Sequence, residues 1–239
     1  MCGIVGVFSN ESLSPQRWGQ VAAALKMLSH RGPDNLKQKG FTHAILGHTR
    51  LAVVDMSQRS NQPFCSGHDN WWITWNGEIY NYQELRQELE SLGHRFRTLS
   101  DTEVLLKAYI QWGDQCQQRL NGMWSLAIYN RLEHTLFLSR DRFGIKPLYW
   151  ARSGNELFFS SEMKPLFCFG ISRDPNWEQF GHFLRTPILP EGGEATVFKQ
   201  IHSLLPGHSM SVSKNRTQKN DKWWCLDTNP AIDVSQRFE

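Results

Sequence analysis

The second residue of the chain is a cysteine, and this position could give it two reactive groups. Methionine aminopeptidase removes Met1 readily when the next residue is small, so Cys2 is expected to carry both a thiol and a free α-amine. Such an amine has a pKa of about 7.7–8.0 and is partly unprotonated at neutral pH. It can take the proton of the thiol and so activate a nucleophile. Without further context, a cysteine at position 2 is more often inert.

Polar residues at two strand ends and at one helix start could bind or polarise a substrate. Arg50 follows the run at 44–48, and its planar guanidinium suits a carboxylate, although a structural ion pair is the alternative. Asn76 and Gly77 follow the run at 71–75. An amide and an N–H at a tight turn could both point at one oxygen, as an oxyanion hole requires, unless this is an ordinary Asn-Gly turn. Asp101 begins a helix, where it either caps the helix or holds an ammonium group.

Two histidine-containing segments have structural interpretations. The cluster HRGPD at 30–34 is typical of a helix end followed by a turn. His48 is interpreted as a buried structural histidine rather than a catalytic base.

The apolar spacing predicts the elements that must position these groups. Residues 4–8, 44–48 and 71–75 are typical of strands. Helical spacing predicts three helices: one through residues 18–28, one through 82–92 with Asn81 as its N-cap, and one from Ser100 or Asp101 to about residue 113 with Glu103 completing a capping box.

The second half of the chain is richer in short strands. Runs at 124–129, 135–140, 147–151 and 157–160, separated by turns, predict antiparallel hairpins and an α+β architecture. Beyond residue 172 we expect a short helix at 177–184, two strands within 197–212 around Pro206 and Gly207, and a polar loop at 213–221.

Composition sets outer limits on function. The 239 residues include 40% hydrophobic and 21% charged residues, with a net charge of +3 and no basic stripe, so nucleic acid and membrane are not expected partners. The five cysteines are odd in number and form no CxxC pair, which argues against a disulfide framework or a zinc site. We find no signal peptide and no apolar run of about 20 residues, so a cytoplasmic location is expected.

Seven motifs, taken together and in this order, resemble the class II glutamine amidotransferase domain, an N-terminal nucleophile hydrolase. They are MCGIVG at 1–6, HRGPD at 30–34, GHTRLAVVD at 47–55, NGEIYN at 76–81, SDTE at 100–103, RDRFGIKPLY at 140–149 and SSEMK at 160–164. The RLAVVD segment at 50–55 is most similar to the glutaminase half of asparagine synthetases.

The resemblance implies a four-layer αββα sandwich of two antiparallel sheets flanked by helices. It also implies site roles. Cys2 would be the nucleophile, and Asn76 with Gly77 would form the oxyanion hole. Arg50 would bind the glutamine α-carboxylate, Glu78 and Asp101 its α-ammonium. The segment Leu51, Ala52, Val53 and Val54 would line the same site.

The resemblance also suggests how the chain is divided. We expect an amidotransferase core at 1–172, the rest of that domain with a bridging segment at 173–222, and a linker at 223–239 toward a synthetase domain that is not in this sequence. No SGGxDS pyrophosphate-binding loop occurs in it. ATP and Mg would therefore be needed only in a missing or partner synthetase domain, and the glutaminase half would need no metal or cofactor.

The expected function is glutamine hydrolysis that supplies ammonia to an ATP-dependent amidation, most plausibly of aspartate to asparagine. The expected partners are glutamine, a synthetase domain or subunit, and a second copy in a homodimer. Two alternatives stay open. One is an amidotransferase for a sugar or natural-product acceptor, and the other is a non-catalytic module that senses glutamine.

Overall fold

A computed structural model describes residues 1–52, 57–65, 67, 70–185, 193–215 and 218–226. Within these ranges the chain forms twelve strands: β1 (Gly3–Ser9), β2 (Asn35–Gly40), β3 (Ala44–Arg50), β4 (Phe64–Cys65), β5 (Trp71–Ile79), β6 (Gly122–Asn130), β7 (Thr135–Arg140), β8 (Tyr149–Ser153), β9 (Glu156–Ser160), β10 (His202–Ser203), β11 (His208–Ser213) and β12 (Gln218–Lys222).

Five α-helices and three short 3-10 helices accompany the strands in the same ranges. The α-helices are α1 (Gln16–Met27), α2 (Tyr82–Ser91), α3 (Asp101–Trp112), α4 (Cys116–Arg119) and α5 (Trp177–Arg185). The 3-10 helices are Gln58–Ser60, Gly113–Gln115 and Lys164–Phe169. No helix in the described part of the chain has the length and apolar character that crossing a membrane requires.

The strands form two six-stranded sheets in which every pairing is antiparallel. The first sheet has the order β10-β8-β9-β1-β3-β2, and the second has the order β12-β11-β7-β6-β5-β4. The predicted α+β sandwich of two antiparallel sheets flanked by helices is therefore confirmed.

Alternation along β1 shows how the layers are built. Ile4 and Phe8 pack into the core between the two sheets, whereas Val5 and Val7 pack against α1 and the 3-10 helix Lys164–Phe169. Successive side chains of a strand point to opposite faces, so one central strand contributes to both cores. All seven residues of β1 are buried, which holds the start of the chain inside the fold.

The outer face of the second sheet is covered by α2 and α3. Ile73, Trp75 and Ile79 of β5 share a buried core with Leu85 of α2 and Leu105 of α3. The first turn of α3 is capped by Ser100, whose hydroxyl accepts a hydrogen bond from the Thr102 N–H at 3.1 Å. This cap fixes the end of α3 that lies nearest β5.

Two predicted helix caps are wrong in detail. Asn81 occupies the N-cap position of α2, as predicted, but its side chain makes no capping hydrogen bond; it donates to the Arg119 carbonyl and accepts from the Asn121 N–H. Glu103 does not complete a capping box, because its carboxylate accepts from the backbone N–H groups of Arg97 and Thr98. Both side chains use their hydrogen bonds to fix a neighbouring loop.

Three predictions about strands also need correction. Asn76 and Gly77 do not form a turn, since β5 continues through them to Ile79 and pairs them with Ser125 and Trp124 of β6. Residues 218–221, predicted as part of a loop, belong to the edge strand β12. The edge strand β2 was not predicted at all.

Candidate active site

A cavity of about 230 Å³ opens where the start of β1, the end of β3, the middle of β5 and the first turn of α3 meet. We call it the Cys2 cavity, and its lining is Met1, Cys2, Arg50, Leu51, Ser60, Gln62, Trp75, Asn76, Gly77, Glu78, Ser100, Asp101, Thr102, Met123 and Lys146. Seven of the predicted site residues are therefore brought together. Ala52 is not part of the lining, and Val53 and Val54 lie outside the described residues.

The Cys2 thiol lies against the backbone that follows β3. Its Sγ accepts a hydrogen bond from the Leu51 N–H at 3.4 Å and lies 3.6 Å from the Leu51 carbonyl. Burial raises the pKa of this thiol, while the Leu51 hydrogen bond, the positive chain terminus and Arg50 oppose that rise. A thiol with a raised pKa needs a base before it can act as a nucleophile.

The turn after α1 holds the backbone of Cys2. The Arg31 Nε donates to the Cys2 carbonyl at 3.0 Å, and the Arg31 Nη1 donates to Glu162 at 3.2 Å. His30 also contacts Glu162, at 2.7 Å. Gly32 is required in this turn, because a Cβ there would lie 2.4 Å from the Thr49 backbone. The HRGPD segment is thus a turn, as predicted, and it also supports Cys2.

Asp34 extends this support to the other wall of the cavity. Its carboxylate accepts a hydrogen bond from the Ala52 N–H at 2.8 Å, and its own N–H donates to the Arg50 carbonyl at 3.0 Å. Ala52 therefore lies behind the cavity wall, where its backbone is tied to the turn that holds Cys2.

Asn76 offers an unused donor to the cavity. The side chain is 2% exposed, and its Nδ2 has no hydrogen-bond partner among the described residues. A buried polar group without a partner costs free energy, and such groups are rare in proteins. An amide N–H in this position is available to bind a substrate oxygen.

The N–H of Gly77 lies at the edge of β5 that faces away from β6. The Trp75 N–H donates to Gln62 at 2.7 Å, and the Ile79 N–H is 3.4 Å from Asp101. Alternate residues of a strand direct their N–H groups to the same side, so the Gly77 N–H lies between those two. A Cβ at Gly77 would lie 2.2 Å from the Met123 carbonyl, which explains the glycine.

Arg50 is 9% exposed and lies at the end of β3. Its Nη1 donates to the Ser57 carbonyl at 2.8 Å and to the Asn61 side chain at 2.6 Å. These bonds fix the plane of the guanidinium beside the cavity. A fixed guanidinium plane is suited to bidentate binding of a carboxylate.

Two carboxylates belong to the cavity. Asp101 is 7% exposed at the start of α3, and Glu78 is half-buried on β5. Burial raises the pKa of Asp101 to about 6, against the backbone hydrogen bonds of Ile79 and Thr102 that lower it, and Glu78 raises it further. An approaching ammonium group would favour the ionised form of both carboxylates.

His48 is fully buried between the sheets and outside the cavity. Its Nε2 lies 3.2 Å from the Trp75 carbonyl, which fits a donated N–H. Burial lowers the pKa of His48 to about 3, so the ring is neutral at physiological pH. These features agree with a structural histidine.

Eight residues of the lining were not predicted as site residues: Met1, Ser60, Gln62, Trp75, Ser100, Thr102, Met123 and Lys146. Lys146 lies in the quoted RDRFGIKPLY motif, so a signal for it was present, whereas nothing local marks Gln62 or Met123. In the part of the chain that the structure describes, no group of three or more His, Cys, Asp or Glu side chains is placed to hold a metal ion.

Comparison with known proteins decides the family. The sequence profile described as a glutamine amidotransferase domain matches residues 1–224. The chain belongs to the glutamine amidotransferase family. It is 36% identical to asparagine synthetase [glutamine-hydrolyzing] 3 of Bacillus subtilis over 222 residues, which are 90% of this chain and 35% of that protein. This glutamine amidotransferase domain is thus homologous to glutamine-hydrolysing asparagine synthetases.

Two further similarities show the breadth of the family. Amidase chyE of Penicillium rubens is 28% identical over all of this chain and 36% of its own length. The solved structure of glutamine phosphoribosylpyrophosphate amidotransferase from B. subtilis, complexed with ADP and GMP, covers 94% of this chain and 50% of its own, with a TM-score of 0.67 and 19% identity. That structure supports the fold of the amidotransferase domain. The matched region spans about a third of the length of the Bacillus synthetase and of the Penicillium amidase.

Proposed function

We propose that this amidotransferase domain hydrolyses glutamine to glutamate and ammonia through a thioester on Cys2. One observation supports the proposal most strongly: Cys2 and Asn76 line the same cavity, and the Asn76 Nδ2 has no hydrogen-bond partner among the described residues. A nucleophile and a pre-positioned donor for the developing oxyanion are the two groups that acyl transfer requires.

The substrate fits the cavity through its charged end. Arg50 pairs with the α-carboxylate of glutamine, while Asp101 and Glu78 hold its α-ammonium. The side-chain carboxamide then extends toward Cys2. Because these three charged side chains of the cavity bind the α-carboxylate and α-ammonium, the side-chain amide of glutamine is the group that reaches the nucleophile.

The reaction proceeds in two halves once Met1 has been removed. The α-amine of Cys2 takes the thiol proton, and sulfur attacks the carboxamide carbon to form a tetrahedral intermediate. Asn76 Nδ2 and the Gly77 N–H stabilise its oxyanion. The protonated α-amine of Cys2 gives its proton to the departing nitrogen. Ammonia is released, and the glutamyl group remains bound to Cys2 as a thioester. Water then attacks the thioester with the same amine as base, releasing glutamate and the thiol.

We propose aspartate as the acceptor of the ammonia, with ATP and Mg used in a synthetase domain or subunit. The name of the Bacillus relative supports this choice, since it is a glutamine-hydrolysing asparagine synthetase. The relative named as an amidase supports the second candidate, an amidotransferase for another acceptor. Adding purified synthetase partner, ATP and each acceptor in turn would separate the two.

N-terminal mass analysis combined with a glutamate-release assay tests the proposed reaction. We expect the wild type to begin at Cys2, to release glutamate, and to accumulate a glutamyl adduct on Cys2 after acid quenching. Cys2→Ala should still lose Met1 but should show neither glutamate release nor the adduct. Cys65→Ala is the matched control and should behave as wild type, because Cys65 lies outside the cavity. Full activity in a protein that retains Met1 would refute the role of the amine.

A further inference from the structure

A buried lysine lies on the N-terminal side of Cys2. Lys146 is 6% exposed, lines the Cys2 cavity and places its Nζ 3.4 Å from the sulfur of Met1. The residue that it contacts is the one that maturation removes. Lys146 and Cys2 line the same cavity, so loss of Met1 leaves the Lys146 ammonium in the cavity that also receives the new α-amine of Cys2.

The backbone of Lys146 is held rigidly. Its N–H donates to Asp141 Oδ2 at 3.0 Å, and the Asp141 carboxylate also accepts from the N–H groups of Trp124, Phe143 and Ile145. Asp141 is 1% exposed. Four backbone donors engage this carboxylate, so it fixes the loop and has little capacity left to pair with the Lys146 ammonium.

We infer that Lys146 keeps the α-amine of mature Cys2 in its free-base form and is a positioning residue for the reaction. The inference rests on the proposed function, in which that amine is the base. A cation beside an amine disfavours the protonated amine, because the two charges repel. At an effective dielectric constant of about 20, a unit charge roughly 10 Å away lowers the amine pKa by about one unit.

The surrounding charges come from every element packed around the N-terminus. They are Arg31 from the turn after α1, Arg50 from β3, Glu78 from β5, Asp101 from α3 and Asp141 from the loop after β7. Burial lowers the pKa of Lys146 and Arg31 lowers it further, while Asp141, Cys2 and Glu78 raise it. Glu78 and Asp101 are the cavity carboxylates that would stabilise a protonated amine, and the positive charge of Lys146 has the opposite effect.

The first test is the pH profile of glutamine hydrolysis. Activity requires the free amine, so kcat/KM falls as the pH drops through the amine pKa. We expect Lys146→Met to move this acidic limb upward by about one pH unit, which costs about tenfold in activity below the limb and little above it. Lys146→Arg keeps the charge and should restore the wild-type profile. Exposed Lys199→Met is the matched control and should not move the limb.

The second test does not depend on glutamine hydrolysis. In a Cys2→Ala background Met1 is still removed, and the α-amine of the new first residue can be titrated by trace labelling with isotopic acetic anhydride. Adding Lys146→Met should raise that amine pKa by about one unit, and adding Lys199→Met should leave it unchanged. An unchanged amine pKa in the Lys146→Met protein would overturn the inference.

The two tests separate the two ideas. If the wild type does not hydrolyse glutamine, the proposed function fails, and the labelling still decides the role of Lys146. If Lys146→Met lowers kcat/KM equally at every pH, or if Lys146→Arg behaves like it, the side chain is only structural.

Discussion

The Nε of Arg31 donates a hydrogen bond of 3.0 Å to the carbonyl oxygen of Cys2, so a turn after α1 holds the residue that we propose as the nucleophile. The guanidinium is itself held by Glu162, at 3.2 Å from Nη1. A side chain 29 residues further along the chain therefore fixes the backbone of Cys2.

Arg31→Met should lower kcat by about 10- to 100-fold with little change in KM, because a small displacement of a nucleophile is costly. Steady-state kinetics of glutamate release measure both constants. Arg17→Met is the matched control. Arg17 pairs with Glu156 away from the cavity, so its loss should affect stability and not kcat. A rise in KM alone would contradict a role in holding Cys2.

Arg50→Lys should raise the KM for glutamine by about tenfold or more, because the single ammonium of lysine cannot bind a carboxylate through two parallel hydrogen bonds as a planar guanidinium does. The hydrogen bonds from Arg50 to Ser57 and Asn61 fix the plane of the guanidinium. The saturation curve for glutamine gives the measurement. Arg59→Lys changes an exposed neighbour outside the cavity and should leave the KM unaltered. An unchanged KM in the Arg50 variant would remove Arg50 from substrate binding.

Asn76→Ala should lower kcat by about 10²- to 10³-fold, the loss typical of one oxyanion-hole donor. The free energy of unfolding should not fall by much, because the lost Nδ2 has no partner among the described residues. Kinetics and thermal unfolding of the same preparation measure the two effects. A large loss of stability with normal kcat would show that Asn76 serves the fold alone.

Asp101 should make stability depend on pH. Its pKa is raised by burial from 3.8 to about 6. As the pH rises from 3.8 to about 6, Asp101 loses its proton in the unfolded chain before it does so in the native state. The free energy of unfolding therefore falls over this pH range. This loss of stability persists above pH 6. Asp101→Asn should therefore raise the free energy of unfolding by up to about 3 kcal/mol at about pH 8. Chemical denaturation of both proteins at acidic and alkaline pH checks this, and a less stable Asn variant at alkaline pH would contradict it.

The same carboxylate should control glutamine affinity. In a Cys2→Ala background, where no turnover occurs, we expect affinity to fall as pH drops below about 6, since only the ionised carboxylate attracts an ammonium group. Calorimetry of glutamine binding across pH gives the affinity. Asp101→Asn should bind weakly at every pH, and a pH-dependent affinity in that variant would assign the titration to another group.

Asn76 and Gly77 show what local sequence could not supply. Their residue types favour a turn, yet they lie inside β5 because they pair with β6, a strand that follows three α-helices later in the sequence. The edge strands β2 and β12 were likewise hard to predict. Both are largely polar and partly exposed, so the alternation of apolar residues that marks a buried strand is absent.

The sequence by itself determined the family and the fold class. Cys2, Arg50 and Asp101 could be chosen because their types and neighbours suit a nucleophile, a carboxylate binder and an ammonium binder, and the central strands have the alternation that burial imposes. Their roles and the domain boundary at residue 172 stay predictions. Only the tertiary structure placed Arg31 on the Cys2 carbonyl and Lys146 on Met1, because such contacts depend on chain segments that are distant in sequence and meet only when the two sheets pack.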